Sequence, residues 1–146
     1  MNFKKYESNL STTILTTVQD VLLVADLSKI DKDIAINYIE MCKDKSVKSL
    51  ILEKLVSYDK VYFFNRLNIP KKVRGLGLGK ELLQEVINYC NEKEIFLVNT
   101  ASSSGDMSQK KLIDFYISSG MKLIHNEGLL VYYSGITPNI KKKIKL

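Results

Sequence analysis

Histidine is nearly missing from this chain, with His125 the only one, and cysteine occurs twice, at Cys42 and Cys90, with no C-x-x-C pairing. So few soft ligands argue against a zinc site, and no metal is expected. Both cysteines fall at apolar positions of predicted helices and read as reduced core thiols. Proline also occurs only twice, at Pro70 and Pro138. With no internal repeat and no low-complexity linker, residues 1–146 read as one domain. Long hydrophobic runs are lacking too. Val21-Leu22-Leu23-Val24-Ala25 is typical, and it falls far short of the ~20 residues that cross a bilayer. No apolar signal segment follows the basic residues near Met1. The expectation is a cytoplasmic protein with no membrane partner.

What remains is an ordinary globular composition, 45% apolar and 26% charged over 146 residues. That is enough chain for a real core and excludes a disordered or collagen-like polymer. The formal net charge is +6, and Lys141, Lys142, Lys143 and Lys145 concentrate positive charge in a basic tail at 139–146. Such a tail can meet nucleic acid or an acidic partner, but the body without it is nearly balanced. A nucleic-acid-binding protein would need stacking aromatics on a basic stripe. Here Tyr62, Phe63 and Phe64 fall in a core strand, so nucleic acid is not the expected partner.

Periodicity supplies the elements. Residues 10–17 are rich in β-branched side chains, Gln19-Asp20 breaks the run, and 21–27 continues it, which reads as a strand pair. Ser28 and Asp31 are capable helix caps, and Ile34, Ala35, Tyr38, Ile39 and Cys42 follow with helical spacing. Val47, Leu50, Ile51 and Leu55 suggest a second helix. A strand from Lys60 stops at Pro70. After a glycine-rich loop, Leu82, Leu83, Val86, Ile87 and Cys90 make an apolar stripe over a helix at 79–92. Ile95 to Val98 is short and uniformly apolar, as a buried strand is. Asp106 with Gln109 resembles a capping box for a helix carrying Leu112, Phe115, Tyr116 and Ser119, which Gly120 ends. Strands at 121–125 and 129–134 close the chain. The order ββααβαβαββ, with a parallel crossover at 60–101, predicts an α/β fold: a mixed, mostly antiparallel central sheet with flanking helices.

The segment Arg74-Gly75-Leu76-Gly77-Leu78-Gly79-Lys80 lies between a strand and the strongest helix. Its glycines let the backbone approach a ligand, and the next helix offers free N–H groups and the positive end of its dipole, a phosphate site. A Walker A loop would need Gly at 74 and Ser or Thr at 81, where the chain has Arg74 and Glu81. The glycines at 75, 77 and 79 do not fit G-x-G-x-x-G either.

Arg-x-x-Gly-x-Gly over 74–79, entered from Leu67-Asn68-Ile69-Pro70, resembles the pyrophosphate loop of the GNAT superfamily of acyl-CoA-dependent N-acyltransferases. Phe115-Tyr116-x-x-x-Gly120-Met121 resembles a second landmark of that family. The resemblance spans roughly residues 60–134. It implies acetyl-CoA as co-substrate, with Arg74, Gly75, Leu76, Gly77, Leu78, Gly79 and Lys80 on the pyrophosphate and Leu67, Asn68 and Ile69 along the pantetheine arm. A backbone N–H there would polarise the thioester carbonyl. Tyr116 would be the general acid for the leaving thiolate. Gln109 stands where the family often has an Asn touching CoA. The loop from Asn99 to Met107 is longer than in compact members.

The implied reaction is acetyl transfer to an amine in a ternary complex. The acceptor stays open among a protein amine, a polyamine, an aminoglycoside-like compound and an aminoacyl-tRNA, because a fold does not choose its substrate. A CoA-binding module without catalysis is the main alternative. Oligomeric state is not legible, and a homodimer is compatible with the chain. Many family members place a Glu on the strand before the loop as general base. Phe63-Phe64-Asn65-Arg66-Leu67-Asn68 holds no carboxylate. Either Arg66 helps the amine arrive neutral, or a base comes from elsewhere, with Asp106 and Glu127 as candidates. His125, distant in sequence from both landmarks, reads as structural.

Overall fold

In the computed structural model, residues 2–102, 107–137 and Asn139 are described. The basic residues 141–146, Pro138 and Asp106 lie outside them. The elements in chain order are strands β1 (Lys4–Glu7), β2 (Ser11–Val18) and β3 (Val21–Lys29), helices α1 (Lys32–Ile39) and α2 (Lys45–Val56), strand β4 (Lys60–Asn68), a 3₁₀ turn at Lys71–Val73, helix α3 (Leu78–Lys93), strand β5 (Ile95–Thr100), helix α4 (Gln109–Ser118), and strands β6 (Lys122–His125) and β7 (Leu129–Tyr132). The strands form one sheet in the order β1-β2-β3-β4-β5-β7-β6. Only β4 and β5 pair in parallel; their neighbours pair antiparallel. This is the expected mixed α/β sheet, with one strand more than expected.

The extra strand is β1. All four of its residues are exposed, so it lacks the apolar alternation by which a strand is recognised. Its charged side chains suit an edge, where a bare apolar strand would invite pairing with another chain. Glu7 ties it inward by accepting a 2.8 Å hydrogen bond from the Tyr89 hydroxyl of α3. That hydroxyl also meets Thr12 Oγ1 at 2.8 Å.

Gln19 and Asp20, at φ 53° and 62°, make the two-residue turn between β2 and β3, where Val18 faces Val21. Positive φ at both positions matches the right-handed twist of the two strands. Helix α1 ends at Ile39 with Glu40 as its C-cap, so Cys42 is not helical as expected. It is buried beyond the helix, its thiol 3.6 Å from the Asp44 carbonyl. Asp44 then caps α2 by accepting the N–H groups of Ser46 and Val47.

Helices cover both faces of the sheet. Ile95 and Leu97 of β5 join the core that includes Leu82, Leu83, Val86 and Ile87 of α3, while Phe96 and Val98 join the core that includes Ala35, Ile39, Ile51 and Leu55 of α1 and α2. A strand buried on both faces reads as an unbroken apolar run. Cys90, on the α3 stripe, is pushed by burial from the ordinary 9.0 up to about 12. Among the described residues no helix is long and apolar enough to cross a membrane.

Candidate active site

The site begins where two strands part. β4 and β5 pair from Lys60↔Ile95 to Phe63↔Val98. β4 then runs on to Asn68, still held on its other side by β3, where Val24 faces Asn68. Just past the last β4–β5 pair the β3–β4 register shifts. Arg66 faces Asp26 while Phe64 faces Leu27, so Asn65 is an extra residue on β4. A bulge bends its strand and increases the local twist, here directing β4 away from β5. Polar side chains anchor the bulge to β3: Asn65 Nδ2 donates to Ser28 Oγ (2.5 Å) and Arg66 Nε to Asp26 Oδ2 (2.7 Å). Among the described residues, the β5-facing edge of β4 from Phe64 onward therefore has no strand partner.

A cleft of about 460 Å³ occupies the gap. β4 lines it with Phe64, Asn65, Arg66 and Leu67, followed by Ile69. The loop and the start of α3 contribute Arg74, Gly75, Gly77, Leu78, Gly79 and Lys80. The far wall is Asn99, Thr100, Ser102 and Met107, with Leu112, Phe115 and Tyr116 of α4.

Local backbone chemistry shapes the loop. Gly75 and Gly77 stand at φ 85° and 77°, and a Cβ added at either would meet nothing within 4 Å. These glycines answer to the left-handed backbone and face open space. Gly77 is also the N-cap of α3 and has no side chain to cap it, so the first-turn N–H groups stay available to a ligand. At Gly79 the approach is close, with Ile69 Cγ1 3.4 Å and Phe115 Cζ 3.5 Å from an added Cβ. Arg74 Nε donates to the Ile69 carbonyl at 2.9 Å, fastening the loop to the end of β4.

Tyr116 stands across the cleft, 6% exposed, between the rings of Phe64 (centroids 6.0 Å apart, edge-on) and Phe115 (5.7 Å). Burial raises its hydroxyl pKa above the ordinary tyrosine value, and a hydrogen bond with Asn99 pulls it partly back. Asn99 is itself buried, at 2% exposure, and its Nδ2 also contacts Met121 Sδ at 3.5 Å. Sequence reasoning missed Asn99. The available signal was a polar residue directly after Ile95 to Val98, since a buried amide needs a partner.

Other expected site residues lie elsewhere. Asn68 is exposed on β4, and Leu76 is 58% exposed on the loop; neither lines the cleft. Gln109 is also absent from the lining. Its Nε2 donates to the carbonyls of Ala101 and Glu127, both at 2.9 Å, clamping the start of α4 to the end of β5 and the β6–β7 turn. Ser108, rather than the proposed box, caps α4 by accepting the Lys111 N–H. The exposed Glu127 sits in that turn, its N–H donating to His125 Nδ1 at 3.2 Å. No Asp, Glu or His occurs among the described lining residues. Arg66, expected to add positive charge near the amine, is paired with Asp26. No group of three His, Cys, Asp or Glu among the described residues could hold a metal ion.

No family model and no curated protein sequence matches this chain. Among solved structures it is similar to Arabidopsis thaliana NAA60 in complex with a bisubstrate analogue, at 15% identity and a TM-score of 0.51, over 86% of this chain and 76% of that one. It is also similar to a KacTA–DNA complex, at 18% identity and a TM-score of 0.49, over 88% of this chain and 70% of that one. The likeness to NAA60, at such low identity, speaks to architecture alone, and the architecture is the one the two sequence landmarks implied: the chain has a GNAT-like fold.

Proposed function

We propose that this chain is an acetyl-CoA-dependent N-acetyltransferase acting by direct attack of an amine on the thioester. The observation that carries this reading is the convergence, in one cleft, of an unpaired strand edge, an uncapped helix N-terminus and a buried tyrosine hydroxyl. The NAA60 structure holds a bisubstrate analogue, which supports a site built for two substrates together.

The N–H groups at the start of α3 and the charges of Arg74 and Lys80 bind the CoA pyrophosphate. The backbone at Leu67, at the open edge of β4, and at Ile69, just beyond the strand, pairs with the pantetheine amides as a strand would, and a β4 N–H stabilises the carbonyl oxygen as it gains charge. The neutral amine forms its bond to the acetyl carbon, the carbon–sulfur bond breaks, Tyr116 gives its proton to the departing sulfur, the new ammonium loses one to solvent, and the Tyr116 phenolate takes one back from solvent. Asn99 holds the Tyr116 hydroxyl. With no carboxylate or imidazole among the described lining residues, the acceptor deprotonates before it attacks.

Two measurements test this. Acetyl-CoA should raise the melting temperature, because a ligand that binds only the folded state stabilises it. Adding amines should then release free thiol. A raised melting temperature without thiol release would make the chain a CoA-binding module; no rise at all would remove CoA from the cleft.

A further inference from the structure

We propose that the acceptor is an amine carrying its own oxyanion, a carboxylate or a phosphate, and that Arg66 selects it. The inference rests on the acetyl-transfer reading and narrows its substrate class. Among the described residues the ionic groups lining the cleft are Arg66, Arg74 and Lys80, all positive. An acceptor with several ammonium groups would bring like charge against like. Arg74 and Lys80 flank the glycine loop and serve the nucleotide. Arg66 stands apart from them at the bulge, where β4 leaves β5 and beside Phe64, which packs on Tyr116. An amine must reach this end of the cleft to meet the thioester.

Arg66 is held for such a role. Its Nε donates to Asp26 Oδ2 at 2.7 Å, and the other oxygen of Asp26 accepts from Thr13 Oγ1 at 2.7 Å. Asp26 is thereby fixed from two sides, and it fixes the guanidinium. One of five N–H donors is used, so the terminal amino groups keep the planar fork that matches carboxylate and phosphate oxygens. The Arg66 side chain is 57% exposed and that of Asp26 24%, so an incoming group meets the cation first. A purely structural role, pinning the bulge to β3, would leave acceptor preference untouched, and this difference makes the proposal testable.

The experiment measures thiol release from acetyl-CoA by the full chain with β-alanine, O-phosphoethanolamine, 1-propylamine and spermidine. We expect kcat/KM for β-alanine or O-phosphoethanolamine to exceed that for 1-propylamine at least tenfold, with spermidine no better than 1-propylamine. The better of the two anionic arms names the oxyanion. Arg66→Gln should shrink the anionic-to-neutral ratio tenfold or more, mainly through KM, and Arg66→Glu should turn the order toward spermidine. A parent enzyme preferring spermidine or 1-propylamine would overturn the proposal while leaving acetyl transfer intact. So would an Arg66→Gln variant slowed equally toward all four amines. Thiol release with none of them, and no acetyl-CoA-dependent rise in melting temperature, would sink the acetyl-transfer reading and this inference with it.

Discussion

At the scale of single residues, the proposed chemistry depends on a hydroxyl kept protonated and kept in place. Burial disfavours the phenolate of Tyr116, and the Asn99 side chain moderates the shift. A general acid contributes typically about 10²–10⁴-fold. Tyr116→Phe retains the ring against Phe64 and Phe115 and removes the hydroxyl with its proton. Its turnover number should fall by that factor, with the acetyl-CoA-induced rise in melting temperature unchanged. An unaltered turnover number would reduce Tyr116 to packing. The tyrosine was legible in the chain because a family landmark surrounds it. Asn99 was not, since nothing local to residues 95–100 announces that α4 delivers a hydroxyl to it.

At the scale of elements, the loop and helix α3 form one device. The left-handed Gly77 ends the loop, begins the helix and leaves its first N–H groups bare. Asp visits left-handed backbone more readily than most residues, at a cost of about 1–2 kcal/mol, so Gly77→Asp should still fold. The new carboxylate would compete for the helix N–H groups and repel the pyrophosphate. The variant should lose the stabilisation by acetyl-CoA seen in thermal melts; a full shift in Gly77→Asp would show that CoA is not held at this loop. Helix α3 and strand β5 were legible because their apolar patterns are local: a stripe at helical spacing, and a run buried on both faces. Strand β1 was not, because exposed edge residues carry no pattern, and Cys42 was misplaced because an apolar residue just past a helix end keeps the helical spacing.

For the molecule as a whole, the charge around the cleft governs how rate depends on pH. No carboxylate or histidine lines it among the described residues, so no enzyme base should titrate near neutrality. Log kcat/KM should climb with pH toward the acceptor amine's own pKa, without a plateau set by an enzyme group at roughly 6–7. On the alkaline side the acid form of Tyr116 persists below its raised pKa. Any loss from its ionisation should therefore be centred above the ordinary tyrosine value of 10.0. Asp106→Asn, at a position outside the described residues, and Glu127→Gln should each lower the rate by less than about tenfold, roughly 1.4 kcal/mol of barrier. A neutral enzyme pKa that disappears in either variant would identify a base and refute the base-free route.

The amino-acid sequence by itself determined the parts whose causes are short-range. Glycines at 75 and 77 mark a loop that must turn, and periodicities of about 3.6 and 2 assign helices and strands. The tertiary structure alone decided how these parts meet. The bulge at Asn65 directs β4 away from β5, Asp26 orients Arg66, Asn99 meets Tyr116, and Gln109 is drawn into a structural clamp. Each of these joins residues from separate elements. Such contacts leave no periodic trace in the chain, because their partners are brought together only when burial of both faces of the sheet fixes the register and the order of its strands.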